Sequence, residues 1–211
     1  MIRALLQKDL AREWRSREGF QAGLVLVGLF FVLFLFTGDG FDDRLAAVAL
    51  WTPLLYATAV LTGRGLGVEA DRGTLEWART MPGAHLMGWS RTLVDGLAAL
   101  VLAALTLGLA VVGFGVAWSP DLAIVLLLAV IGLTVMGSLA GGLAAHARAR
   151  DVLLPILLVP LAAPLLQAGI QATLDALAGT PDRTPLLLML GYDLVALGVA
   201  WLLWPILMEA D

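Results

Sequence analysis

Few residues of this 211-residue chain could do chemistry, and those few are badly placed for it. The two histidines, His85 and His146, stand far apart with no H-E-x-x-H pattern, so neither is expected to ligate a metal or haem. The absence of cysteine excludes disulfides, thiolate metal sites and a cysteine nucleophile. Lys8 is the only lysine, and no G-x-x-x-x-G-K-[ST] run exists to cradle a phosphate. Neither a Ser-His-Asp order nor a carboxylate pair set up for hydrolysis emerges. The chain is expected to catalyse nothing, and any ATP that drives it is hydrolysed by another polypeptide.

Polar residues gather in three other places. The first is the segment 63–91, GRGLGVEADRGTLEWARTMPGAHLMGWSR, with Arg64, Arg72, Arg79 and Arg91. Thr74 can cap a short helix there with Glu76 in its first turn, where the helix dipole favours an acid, and Pro82-Gly83 ends it. Such a helix, outside the bilayer, is a handle for a partner protein. The second place is the run VLLPILLVPLAAPLLQAGIQATLD, where Pro155, Pro160 and Pro164 predict a bend or local unwinding. At spacings of three and four, Pro160, Pro164, Gln167, Gln171 and Asp175 share one face. That stripe either packs on neighbouring spans and the outer loop, or lines a path or outer docking site. The third is Asp193, roughly 10 Å below the outer interface at 1.5 Å per residue, where an exposed charge is costly. It is expected to face protein, through a hydrogen bond from a neutral carboxyl or in a transport role. Asp95, one turn after Arg91, reads as a solvated or ion-paired end of the third span.

The elements that must position these residues follow from composition. A mean hydropathy of +0.92 and 14% charged residues, against about 25% in soluble domains, mark an all-α integral membrane protein. Six spans, about 20–37, 45–62, 92–116, 122–145, 152–174 and 185–208, use most of the chain and leave a single membrane domain over 1–211. Residues 1–19 predict an interfacial amphipathic helix, with Ile2, Leu6, Leu10 and Trp14 at four-residue spacing and cations around them. A cleaved signal peptide is the rival, but the basic region is long and no small-x-small site follows. Of the 13 Lys and Arg residues, five precede the first span, four lie in 63–91, and Arg148 and Arg150 follow the fourth span. Only Arg44 and Arg183 fall on the other side, so both termini and the central segment are expected in the cytoplasm. Gly137 and Gly141, a G-x-x-x-G in the fourth span, allow close helix packing within the monomer or at a homodimer seam. No basic stripe with interleaved aromatics suggests a nucleic-acid partner.

The run EADRGTLEWARTMP, residues 69–82, resembles the cytoplasmic signature of type-2 ABC permeases, with Gly73-Thr74-Leu75-Glu76 as its core. Chain length, six spans, the lack of a fused ATPase, the amphipathic start and the LLPILLVPLAAPLL run at 153–166 are together similar to the CcmB family, the membrane subunit of the cytochrome c maturation complex. A lysine that often begins the third span of that family is replaced here by Trp89-Ser90-Arg91. The resemblance implies coupling to a CcmA-like ATPase through Glu69, Arg72, Gly73, Thr74, Leu75, Glu76, Arg79 and Pro82. It also implies a homodimer in the inner membrane, working with a CcmC-like haem-handling protein and a CcmE-like haem chaperone. Haem is then the substrate of the complex, bound by this chain at no identified residue. The output is haem export or release of the loaded chaperone. Two alternatives stand beside it: a type-2 permease for another amphipathic substrate such as a lipid or polysaccharide, and a passive scaffold for haem assembly factors.

Overall fold

The computed structural model describes residues 2–36, 42–71, 73, 83–145, 150–180 and 182–208, with backbone alone at 64–71, 150–152 and 155. Among them are seven helices and no strand: α1 Ile2–Ser16, α2 Glu18–Leu35, α3 Asp43–Asp71, α4 His85–Phe114, α5 Pro120–Ala144, α6 Arg150–Leu177 and α7 Arg183–Leu207. The six from α2 onward are long and apolar enough to cross a bilayer.

Two of these six form the centre. The fourth apolar run contains LTVMGSLAGG, ten consecutive residues that are all buried, because α5 touches α3, α4, α6 and α7. Helix α3 is packed almost as fully, against α2, α4, α5 and α6. Small residues let the backbones approach: a methyl group added at Gly137 would lie 2.6 Å from Thr62 Oγ1, and one at Gly141 would lie 2.8 Å from the Thr62 carbonyl. Threonine hydroxyls inside the bundle bond back to their own helices, as Thr58 does to Leu54 (2.7 Å) and Thr134 to Val130 (2.6 Å). These threonine hydroxyls are thus satisfied without water.

Three spans share a direction and a device at their starts. Asp42 accepts from Leu45 N–H (2.8 Å) at α3, Ser119 from Leu122 N–H (3.2 Å) at α5, and Asp182 from Thr184 N–H (2.9 Å) at α7. Each cap satisfies an orphan donor where the chain re-enters the apolar layer. α4 ends at Gly115, whose φ of 68° a side chain would resist.

Two details refine the sequence reading. The helix that carries the third span begins at His85, before 92, and Arg91 within it is paired and buried. α6 runs unbroken through its prolines, without local unwinding. The carbonyl of Leu161, between Pro160 and Pro164, also accepts from the Tyr192 hydroxyl of α7 (2.8 Å).

Candidate functional site

At the arginine-rich end, α3 closes at Asp71 and α4 opens at His85, and the two helices pack together. Glu69 lies in the last turn of α3, and Gly73 takes φ 66°, a left-handed turn natural to glycine. Arg72, Thr74, Leu75, Glu76, Arg79 and Pro82 lie outside the described residues. Gly83, also left-handed at φ 79°, leads back into α4.

One turn into α4 a buried ionic cluster begins, and it joins this end of the bundle to α1. Arg91 Nη2 reaches Asp95 Oδ1 at 2.8 Å, and its Nε donates to Oδ2 at 3.3 Å, so the guanidinium fork grips the carboxylate four residues on. The same Nη2 meets Glu13 Oε2 of α1 at 3.1 Å. Ser90 Oγ donates to Asp9 Oδ2 at 2.6 Å, while Lys8 Nζ stands 3.3 Å from Asp9 Oδ1. Asp9, Ser90, Arg91 and Asp95 are all buried. The i, i+4 spacing of Asp9 and Glu13 puts both acids on one face of α1, and that face meets α4. Charges in such surroundings are tolerable only when paired, so α1 and α4 hold each other by mutual need.

The α1–α2 junction is a single residue. Arg17 has φ 51°, its Nε donates to the Trp14 carbonyl (3.1 Å), and its guanidinium lies 5.1 Å above the Trp14 ring.

The polar stripe of α6 and Asp193 of α7 face different surroundings. Pro160, Pro164, Gln167 and Gln171 are exposed on the outside of α6, Asp175 is half-buried, and Gln171 Nε2 donates to Asp175 Oδ1 at 2.9 Å. From Pro160 to Gln171 the stripe is left uncovered by neighbouring spans among the described residues. Asp193 instead points inward from α7 and is 3% exposed. A methyl at Gly132 of α5 would lie 2.5 Å from its Oδ1 and 2.6 Å from Leu165 of α6. Neither carboxyl oxygen has a hydrogen-bond partner among the described residues. An acid so placed must carry a proton or meet a cation. Gly137 and Gly141 face Thr62, which commits that side of α5 to packing within the chain.

The length, the six spans and their polar interruptions can now be set beside known proteins. Residues 1–206 match the family described as CcmB protein. The chain belongs to the CcmB family. A curated relative, Heme exporter protein B of Paracoccus denitrificans (strain Pd 1222), is 28% identical over 207 residues, which cover 94% of each chain.

Within this CcmB-family chain, sequence reasoning passed over Asp9, Glu13 and Ser90. Two acids four residues apart on an otherwise cationic helix were the available signal, since solvated acids there would merely cancel the attraction to anionic lipid. It also passed over the tie between α3 and α6, where Trp51 Nε1 donates to Thr173 Oγ1 (3.0 Å) with its ring over Gly169. No polar motif marks that contact; its trace is a glycine one turn before a threonine.

Proposed function

We propose that this chain is the membrane permease subunit of an ABC-type haem exporter of cytochrome c maturation, driven by a separate ATP-binding subunit. The observation that carries the proposal is the family match over residues 1–206, together with the full-length relative named Heme exporter protein B. The absence of a phosphate-cradling loop from the sequence accords with hydrolysis in trans.

In this reading both termini and residues 63–91 face the cytoplasm of an inner-membrane protein, as the distribution of Lys and Arg favours. A CcmA-like ATPase grips the coupling segment through Leu75, Glu76 and Arg79. Closure of two such ATPases on ATP draws the segments of a homodimer together. The pull enters α3 and α4 at Asp71 and His85, and the Arg91 cluster carries it to α1, so three helices move as one body. At the other face the exposed stripe of α6, from Pro160 to Asp175, offers polar atoms to a CcmC-like protein or to the haem-loaded CcmE-like chaperone. No histidine stands in the six spans beyond His85 at the very start of α4. Release of the loaded chaperone therefore places lighter demands on this chain than passage of haem through it.

The deciding measurement is ATP hydrolysis by the complex reconstituted in lipid, with the intact chain and with Glu76→Ala and Arg79→Ala, with and without the haem chaperone. The expected result is hydrolysis that rises with the chaperone and falls at least tenfold in both variants, while the subunits still co-purify. Coupled hydrolysis indifferent to haem and chaperone would transfer the protein to another amphipathic substrate. Failure of any ATPase to co-purify would leave a scaffold.

A further inference from the structure

Where α1 turns into α2, a groove of about 340 Å³ opens against α4. Leu10, Trp14 and Phe20 form one wall, and Leu97, Ala98 and Val101 form the other. Trp14 is 72% exposed, and Leu97 and Val101 stand about half-exposed, so the groove is apolar and open to the surroundings of the bundle. It lies beside the first turn of α2, at the start of a helix long and apolar enough to cross a bilayer.

Two charged residues border it, and they are not equivalent. Glu13 is engaged by Arg91 at 3.1 Å. Arg17 is exposed, held in place by the Trp14 ring and carbonyl, and meets no carboxylate among the described residues. Arg15 beside it is exposed as well, whereas Asp9 is turned into the protein. The mouth of the groove presents Arg15 and Arg17 to the surroundings; Asp9 and Glu13 are drawn toward α4, and Glu18, next to Arg17, is exposed. An apolar slot capped by a guanidinium anchored on Trp14, with no carboxylate partner among the described residues, matches a molecule with an acyl chain below a phosphate.

We propose that this groove binds one anionic phospholipid, its acyl chain between Trp14 and Val101 and its phosphate on Arg17, and that the lipid completes the contact between α1 and α4. The site rests on the geometry of the α1–α2–α4 corner and holds whatever the complex exports.

The test uses the full-length chain stripped of lipid in detergent, titrated with phosphatidylglycerol or phosphatidylcholine and read by native mass spectrometry. One phosphatidylglycerol is expected to be retained about fivefold more strongly than phosphatidylcholine, the contribution of roughly one cation. Arg17→Asn, which keeps a residue tolerant of the left-handed turn, should bring that preference to about one without changing the thermal midpoint. Ala98→Phe should fill the slot and lower retention of both lipids, and Arg17→Lys should restore the preference if Arg17→Asn proves unstable. Equal retention of the two lipids by the unaltered chain would overturn the proposal, as would a preference that survives Arg17→Asn. So would a dimer, indifferent to phosphatidylglycerol, that Ala98→Phe abolishes, because a second copy would then fill the groove.

Discussion

Arg91 shows how one side chain can be indispensable without touching a substrate. Its 10%-exposed guanidinium lies against Asp95 and Glu13, two acids that burial would otherwise make costly. Removing one partner of a buried ionic group leaves the others uncompensated, which costs about 3–5 kcal/mol. Arg91→Ala is therefore expected to lower unfolding stability in detergent by about that amount. Arg91→Lys should lose less, because an ammonium keeps the charge but cannot fork across Asp95. A change below about 1 kcal/mol in Arg91→Ala would mean that the acids are not held by this residue. The sequence displayed Arg91 and Asp95 as an i, i+4 pair and hid Glu13, the other partner of Arg91, because it lies 78 positions away. Local spacing reports neighbours along a helix and is silent about the helix beside it.

At the scale of elements, the helices are specified by different chemistry at their middles and their ends. Their middles fit through absent side chains. A methyl at Gly169 would overlap the Trp51 ring, whereas Gly198 has nothing within 4 Å. Gly169→Ala should destabilise by about 1–3 kcal/mol through overpacking. Gly198→Ala should be neutral or gain up to about 1 kcal/mol from helix propensity. Denaturant titration of the two variants side by side checks both signs. The ends are set by caps, and Asp182 illustrates their pH sense. The N–H of Thr184, followed by its hydroxyl, holds the Asp182 carboxyl below its ordinary value. Its contribution to the start of α7 is present above the unfolded carboxylate range, near pH 4, and is lost as pH falls through the lower folded value. Hydrogen exchange in the first turn of α7 should therefore quicken below about pH 4 in the native chain and show no such step in Asp182→Asn, which caps without titrating.

Across the whole molecule, the spans were legible because lipid leaves the backbone no alternative to helices of bilayer length. What sequence could not supply is which spans sit at the centre. α3 and α5 are not the most apolar windows as a pair, and their burial comes from glycine and threonine surfaces that only packing reveals. The exposed stripe of α6 was visible as a pattern, but its direction was not, since a helical face has no address until its neighbours are placed. Orientation in the membrane can be tested cleanly because the chain has no cysteine. A single cysteine at Arg3 should react with an impermeant maleimide only from the cytoplasmic side, and one at Asp182 only from the outer side; the reverse pattern would invert the topology argued from charge.

The bond between Ser90 and Asp9 also sets a timetable for the newborn chain. The two residues are 81 positions apart, so the ribosome must add that many residues after Asp9 before the partner exists. At roughly 5–20 residues per second the wait is about 4–16 seconds. Through that interval the first spans are already being handed to the lipid, while Asp9 and Glu13 stay hydrated beside a basic, membrane-seeking helix. α1 is thus made early and secured late, since its docking waits until Ser90 and Arg91 of the third span have been made.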